Sequence, residues 1–106
     1  MTEIIKRKLK ELPDASGVYM MRNGEGEIVY IGKAVNLKNR VRSYFHTGVK
    51  NDKVMALIDK VVDFDYIITN NEVDALVLEN TLIKKHKPHF NILLKEACFN
   101  QCYLIF

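Results

Sequence analysis

Apolar positions along this chain change their spacing several times, and each change marks an element. Ile5, Leu9 and Leu12 fall at helical spacing in a charged segment, which predicts a short basic helix over 2–11 stopped by Pro13. Two β-prone runs follow, about 17–22 and 27–32, joined by Arg22-Asn23-Gly24-Glu25-Gly26. Asn-Gly between such runs predicts a hairpin. Its paired strands lie only about 5 Å apart, so Tyr19 and Tyr30 are brought near each other. Two tyrosines on a hairpin are ordinarily packing residues, and on that pair alone nothing more is needed. Asn36 caps a helix of about 37–45 with Leu37, Val41 and Tyr44 as its apolar stripe. A helix of about 52–61 turns Val54, Leu57, Ile58 and Val61 inward. Phe64, Tyr66 and Ile68 alternate with Asp65, Ile67 and Thr69, which predicts a strand. Asn70-Asn71-Glu72 opens a last long helix that runs to about Lys87, before Pro88, and Tyr103-Leu104-Ile105-Phe106 can form a final strand. With no repeat, linker or low-complexity tract, residues 1–106 read as one α/β domain of three or four strands with helices packed on them.

The last helix holds an anomaly. Its stripe runs through Leu76 and Ile83, with Val73 and Asn80 beside it, and Leu78 and Leu82 form a neighbouring row. The helix is therefore expected to be buried over much of its circumference. Glu79 sits in that stripe. A carboxylate on an inward face costs several kcal/mol unless a cation or hydrogen bonds compensate. Two partners fit: one of the many lysines or arginines in a salt bridge, or a hard cation such as Mg²⁺, which takes oxygen from only one or two carboxylates.

Composition narrows the class. The 106 residues, 48% hydrophobic and 27% charged, suit a folded soluble protein, and no apolar run approaches the roughly 20 residues of a membrane span. The N-terminus Met1-Thr2-Glu3-Ile4-Ile5-Lys6-Arg7 has no apolar signal core, so secretion is not expected. Cys98 and Cys102 are the only cysteines, a usage that suits a reducing cytoplasm without a structural disulfide. With His86 and His89 they make a nominal zinc set, but the spacing is no familiar finger and there is no CxxC. The net charge of +3 is unevenly spread. No acid occurs between Glu27 and Asp52, where Lys33, Lys38, Arg40, Arg42 and Lys50 lie. None occurs between Glu79 and Glu96, where Lys84, Lys85, Lys87 and Lys95 lie with His86 and His89. Such segregation is the footprint of a polyanion partner, or else a solvated lysine-rich surface. His46, in a Gly-containing loop, reads as an exposed histidine.

Ordered motifs then carry a resemblance. Gly17-Val18-Tyr19, Tyr30-Ile31-Gly32-Lys33, the stretch from Leu37 to Phe45, Glu79 and Asn91 resemble the motifs of the GIY-YIG nuclease superfamily. Within it the chain is most similar to the N-terminal endonuclease domain of the bacterial excinuclease component UvrC. Ala75-Leu76-Val77-Leu78-Glu79-Asn80, Leu82-Ile83-Lys84-Lys85 and Pro88-His89-Phe90-Asn91-Ile92 carry that closer likeness, which spans about residues 5–95. Val18 stands where the superfamily's name has isoleucine. The tail from Glu96 to Tyr103 departs from the acidic, lysine-containing turn and Tyr-Pro-Tyr-like strand usual there.

The resemblance implies a small α+β domain with a three- to four-stranded, mainly antiparallel sheet, and a metal-dependent DNA endonuclease making the 3′-side incision of nucleotide excision repair. It implies Tyr30 as general base, with Lys33 as the nearest cation to lower its pKa. Tyr19 would hold the water or the lysine, and Arg40 would fork onto a phosphate oxygen. Tyr44 would bond the phosphate or hold Arg40, while Asn91 would orient Glu79 or a metal-bound water. Glu79 would carry one Mg²⁺ or Mn²⁺. Lys38, Arg42, Lys84 and Lys85 are candidates for the DNA backbone. The implied partners are DNA and UvrB, on damage loaded by UvrA and UvrB, in the cytoplasm and away from membranes. The chain is then an excised domain or a free-standing relative. Other readings are a structure-specific or mobile-element nuclease, or a DNA-binding module without catalysis, for which Glu79 would have no use.

Overall fold

The computed structural model describes residues 2–45 and 52–91. The expected fourth strand at 103–106, and His46, Lys50, Cys98 and Cys102, lie outside the described residues.

Helix α1, Glu3–Glu11, begins at Thr2, whose hydroxyl accepts from the Ile5 N–H at 3.2 Å and donates to the Val62 carbonyl at 2.8 Å. One cap thus ends the helix and ties it to a distant part of the chain. Strand β1, Gly17–Arg22, is the middle of a three-stranded antiparallel sheet, between β2, Ile28–Ala34, and β3, Asp63–Ile68. Buried on both faces, β1 reads as a continuous apolar run rather than an alternation. Between β2 and β3 lie α2, Leu37–Phe45, and α3, Asp52–Lys60; α4, Glu72–His86, closes the order. Asn36 caps α2 through the Asn39 N–H at 3.0 Å, and Asn71 caps α4 through the Asp74 N–H at 2.8 Å.

The hairpin forms, but Asn23-Gly24 is not its two-residue turn. Asn23 Oδ1 accepts from the N–H groups of Glu25 at 2.9 Å and Glu27 at 3.0 Å, an Asx turn, and Gly26 is the residue at positive φ, 82°. The longer loop slips the register between Met21 and Arg22.

The sheet divides the core into two layers. On one face Tyr19, Met21, Tyr30 and Phe64 pack with Ile5 of α1, Leu37, Val41 and Tyr44 of α2 and Leu57 of α3. On the other, Val18, Met20 and Ile31 pack beneath Ala75 of α4. An ion-pair network fastens α1 to β3: Lys8 Nζ meets Asp63 at 2.8 Å and Asp65 at 3.3 Å, and Arg22 Nε meets Asp65 at 2.9 Å.

One expectation needs correction. Helix α4 is not buried over most of its circumference. Its inward side is Ala75 and Glu79, flanked by Leu78, Leu82 and Ile83, whereas Val73, Leu76 and Val77 are 68%, 42% and 59% exposed. Apolar residues lie on both sides of this helix, so periodicity could not say which side faces the sheet. Small Ala75 decides it by allowing close approach to Val18, Met20 and Ile31. Strand β3 forms as expected; as an edge strand it buries Phe64 fully and leaves its end at Ile67 and Ile68 exposed.

Candidate active site

Antiparallel pairing sets Tyr19 opposite Gly32, which places Tyr30, two residues back on β2, on the same face as Tyr19. Their ring centroids are 6.2 Å apart. Tyr44 from α2 completes a triangle, 5.8 Å from Tyr19 and 6.2 Å from Tyr30. Its hydroxyl lies 2.8 Å from that of Tyr19, and its ring packs edge-on against that of Tyr30. All three side chains are buried.

Both motif glycines are explained by this packing. A Cβ on Gly32 would collide with the Tyr19 phenol, which crosses over the strand at that point. A Cβ on Gly17 would meet the Ile67 carbonyl and the Leu37 side chain. Gly32→Ala should therefore displace a wholly buried ring held by a hydrogen bond, costing about 1–3 kcal/mol of stability. Urea unfolding checks this; an unchanged midpoint and slope would show that the ring moves freely.

Burial, first of all, pushes the Tyr30 hydroxyl well above its usual pKa, helped by Tyr44 and by the Glu79 charge, while Arg40 pulls it down. Tyr19 is raised in the same way, by burial first and then by Tyr44 and Tyr30. The expectation that Lys33 lowers Tyr30 does not hold in this structure. Three residues along a strand is an odd number, so Lys33 leaves β2 on the opposite face. Arg40, half-buried on α2, is the cation that lowers all three tyrosines.

Glu79 is 9% exposed on the inward side of α4. Burial raises its pKa; the Lys33 N–H and the Lys33 charge act against that rise. No ion pair among the described residues takes Glu79, so the expected salt bridge is not formed there. Asn91 does not orient it either. Its Oδ1 accepts from the Ile31 N–H and its Nδ2 donates to the Ile31 carbonyl, both at 2.7 Å. Ile31 and Lys33, two apart on β2, point their backbone groups to the edge away from β1. Asn91 and Glu79 thus cap successive positions of that edge, and Asn91 steadies the backbone between Tyr30 and Gly32. Sequence reasoning missed this, because a side chain that replaces a strand leaves no periodic signal.

The described residues hold no group of three or more His, Cys, Asp or Glu that could hold a metal ion. A single buried carboxylate with hard oxygen donors suits one Mg²⁺-like ion that keeps most of its waters. It does not suit zinc. Of the candidate backbone contacts, Lys38 is half-buried and Arg42 exposed on α2, while Lys84 and Lys85 are exposed near the end of α4.

Three clustered phenols, an arginine from the following helix and one buried carboxylate on a three-stranded antiparallel sheet define a GIY-YIG domain. The model of the UvrC-like GIY-YIG domain matches residues 15–92, and the chain belongs to that family. It is 55% identical over 93 residues to UvrABC system protein C of Ruminiclostridium cellulolyticum, covering 87% of this chain and 15% of that protein. It is 55% identical over 94 residues to the same protein of Desulfitobacterium hafniense, covering 89% and 15%. The chain thus spans about 15% of the length of these curated relatives. Among solved structures it is similar to the GIY-YIG N-terminal endonuclease domain of UvrC from Thermotoga maritima bound to its catalytic divalent cation, magnesium. The TM-score is 0.76 at 38% identity, over 85% of this chain and 98% of that one.

Proposed function

We propose that residues 1–106 form a single metal-dependent DNA endonuclease domain that hydrolyses a phosphodiester bond on the 3′ side of a lesion in nucleotide excision repair. The observation that carries this reading is the buried carboxylate of Glu79 capping the β2 edge beside the Tyr30 phenol. A binding module has no use for a costly buried charge at that place.

In this reading Tyr30 reacts as its phenolate: the phenol proton is first lost to solvent, and the phenolate oxygen then takes a proton from the attacking water, against the burial that raises its pKa. Tyr44 packs edge-on against the Tyr30 ring and holds it in place, and Tyr19, bonded to the Tyr44 hydroxyl, fixes Tyr44 from the far side. Arg40 offers a fork to a non-bridging phosphate oxygen and opposes, without cancelling, the rise in the phenols' pKa values. Glu79 holds one Mg²⁺ or Mn²⁺, which when bound polarises the phosphate, neutralises the leaving 3′ oxygen and offsets the charge that raises Tyr30. Asn91 is a positioning residue acting through the backbone of Ile31.

Lys38, Arg42, Lys84 and Lys85 track the DNA backbone. Phosphate contacts carry no base information, so binding should show little sequence preference and should weaken at least tenfold between about 50 and 200 mM salt. Fluorescence anisotropy with unrelated duplexes checks this, and a salt-insensitive affinity would count against it. No helix among the described residues is long and apolar enough to cross a membrane. A cytoplasmic place beside UvrB, on damage loaded by UvrA and UvrB, completes the reading.

The test is incision of a duplex carrying one bulky lesion, preloaded with UvrA and UvrB, in Mg²⁺. A single cut on the 3′ side is expected. Cutting at the same position and rate without those proteins would instead make the chain a free-standing nuclease.

A further inference from the structure

The five residues after α4 do more than end it. Lys87 stands in the left-handed region at φ 46°, and its N–H bonds the Ile83 carbonyl at 2.7 Å, so the chain turns sharply off the helix. Pro88 is fully buried, and its carbonyl accepts from the Asn91 N–H at 3.2 Å. This second turn sends neighbouring side chains to different places. Asn91 reaches the outer edge of β2 at Ile31, while Phe90, 4% exposed, enters the core layer of Tyr19, Tyr30 and Tyr44. Helix α4 itself packs on the other layer, over Val18, Met20 and Ile31. Residues 87–91 therefore pass round the β2 edge from one face of the sheet to the other. The Ile31 N–H that Asn91 holds belongs to the peptide unit joining Tyr30 to Ile31.

We propose that Phe90 is a positioning residue: buried in the tyrosine layer, it pegs the 87–91 clasp so that Asn91 grips the Ile31 backbone, and thereby fixes the Tyr30 phenol on β2 relative to the Glu79 carboxylate on α4. The proposal rests on the reading of those two groups as base and metal ligand. They stand on different elements, and the clasp continues the helix that carries one and grips the strand that carries the other. Asn91 alone makes a two-bond contact at a part-buried edge, where water competes for the same backbone groups. A ring buried one residue away removes that freedom. Phe90 has no group that could bind metal or phosphate, so its effect passes wholly through the backbone of β2.

The test reads the clasp and the chemistry separately on the intact chain, with circular dichroism to verify folding. In amide hydrogen exchange followed by NMR, Phe90→Ala should speed Ile31 by at least about tenfold relative to Gly32, whose N–H bonds within the sheet. Single-turnover cutting in saturating Mg²⁺ and DNA should fall by about 10- to 100-fold, the scale of an ångström of misplacement. DNA affinity should stay within about twofold of the parent. Phe90→Leu, which fills most of the space, should recover the rate to within about fivefold. Val61→Ala truncates the same layer just after α3 and should leave both the exchange ratio and the rate at parental values. Where Phe90→Ala does not fold, Phe90→Val carries the same comparison with a smaller cavity. An unchanged exchange ratio would show that Phe90 pegs nothing. A raised ratio with parental cutting would show that the clasp does not place the phenol. Equal slowing by Val61→Ala would make the effect one of general packing. Each of these overturns the proposal and leaves the site standing. Parental cutting by Tyr30→Phe would overturn the reading of the phenol, and the proposal falls with it.

Discussion

Tyr30→Phe should abolish cleavage while leaving the fold intact. The substitution deletes one hydroxyl and keeps the ring that packs against Tyr19 and Tyr44. One buried hydroxyl is removed and the ring packing is kept, so stability should change by no more than about 1 kcal/mol. The rate lost should be at least the roughly 10²–10⁴-fold typical of a missing general acid or base. Single-turnover cutting in saturating Mg²⁺, with circular dichroism on the same samples, separates the two effects. Tyr19→Phe is the internal control. Its hydroxyl bonds Tyr44, so its loss should act only through Tyr44 and be milder. A more damaging Tyr19→Phe would exchange the two roles. If neither change slows cutting, water is activated without a phenol and the assignment fails.

The second large effect belongs to Glu79→Gln. A glutamine carbonyl can still accept from the Lys33 N–H that the carboxylate now meets, so the edge of β2 remains capped. Burying a neutral amide costs less than burying a charge, so the metal-free variant should be as stable as the parent or about 1 kcal/mol more stable. DNA binding should be unchanged or tighter, because a negative charge near the phosphate is gone. Cleavage should fall by two orders of magnitude or more, the scale of losing electrostatic stabilisation in the transition state. Thermal unfolding, anisotropy and cutting on one preparation test all three. Parental cutting in Mg²⁺ would make Glu79 a structural carboxylate.

Much of this site is legible in the order of residues, and the illegible part has a physical reason. Tyr19 and Tyr30 can be brought together from strand pairing and Tyr44 placed on the inward stripe of its helix, because those periodicities are local, whereas the meeting of Tyr44 with the other two is a tertiary contact. Asn36 and Asn71 announce their helices by the same local chemistry. Glu79 stands out as a charge among apolar residues, yet periodicity does not show which side of α4 carries it inward. Leu76 and Ala75 are neighbours in sequence, and only contact with Val18, Met20 and Ile31 selects the smaller one. Nearness along the chain draws Lys33 toward Tyr30, where the alternation of a strand sends it to the other face. Asn91 is beyond reach in a different way. Its partner, the backbone of Ile31, lies sixty residues away, and a backbone amide has no sequence identity. Gly32 shows the converse: its reason is a tyrosine on the neighbouring strand.

One measurement bears most directly on the claim that this domain is a single-carboxylate, metal-dependent phosphodiesterase. Supercoiled plasmid is incubated with the parent and with Glu79→Gln, each in Mg²⁺, in Mn²⁺ and in chelator, and conversion to nicked circle is followed with time. The account predicts nicking by the parent in either metal, none in chelator, and none above background by the variant. Nicking that survives chelation, or that Glu79→Gln performs as fast as the parent, would contradict it.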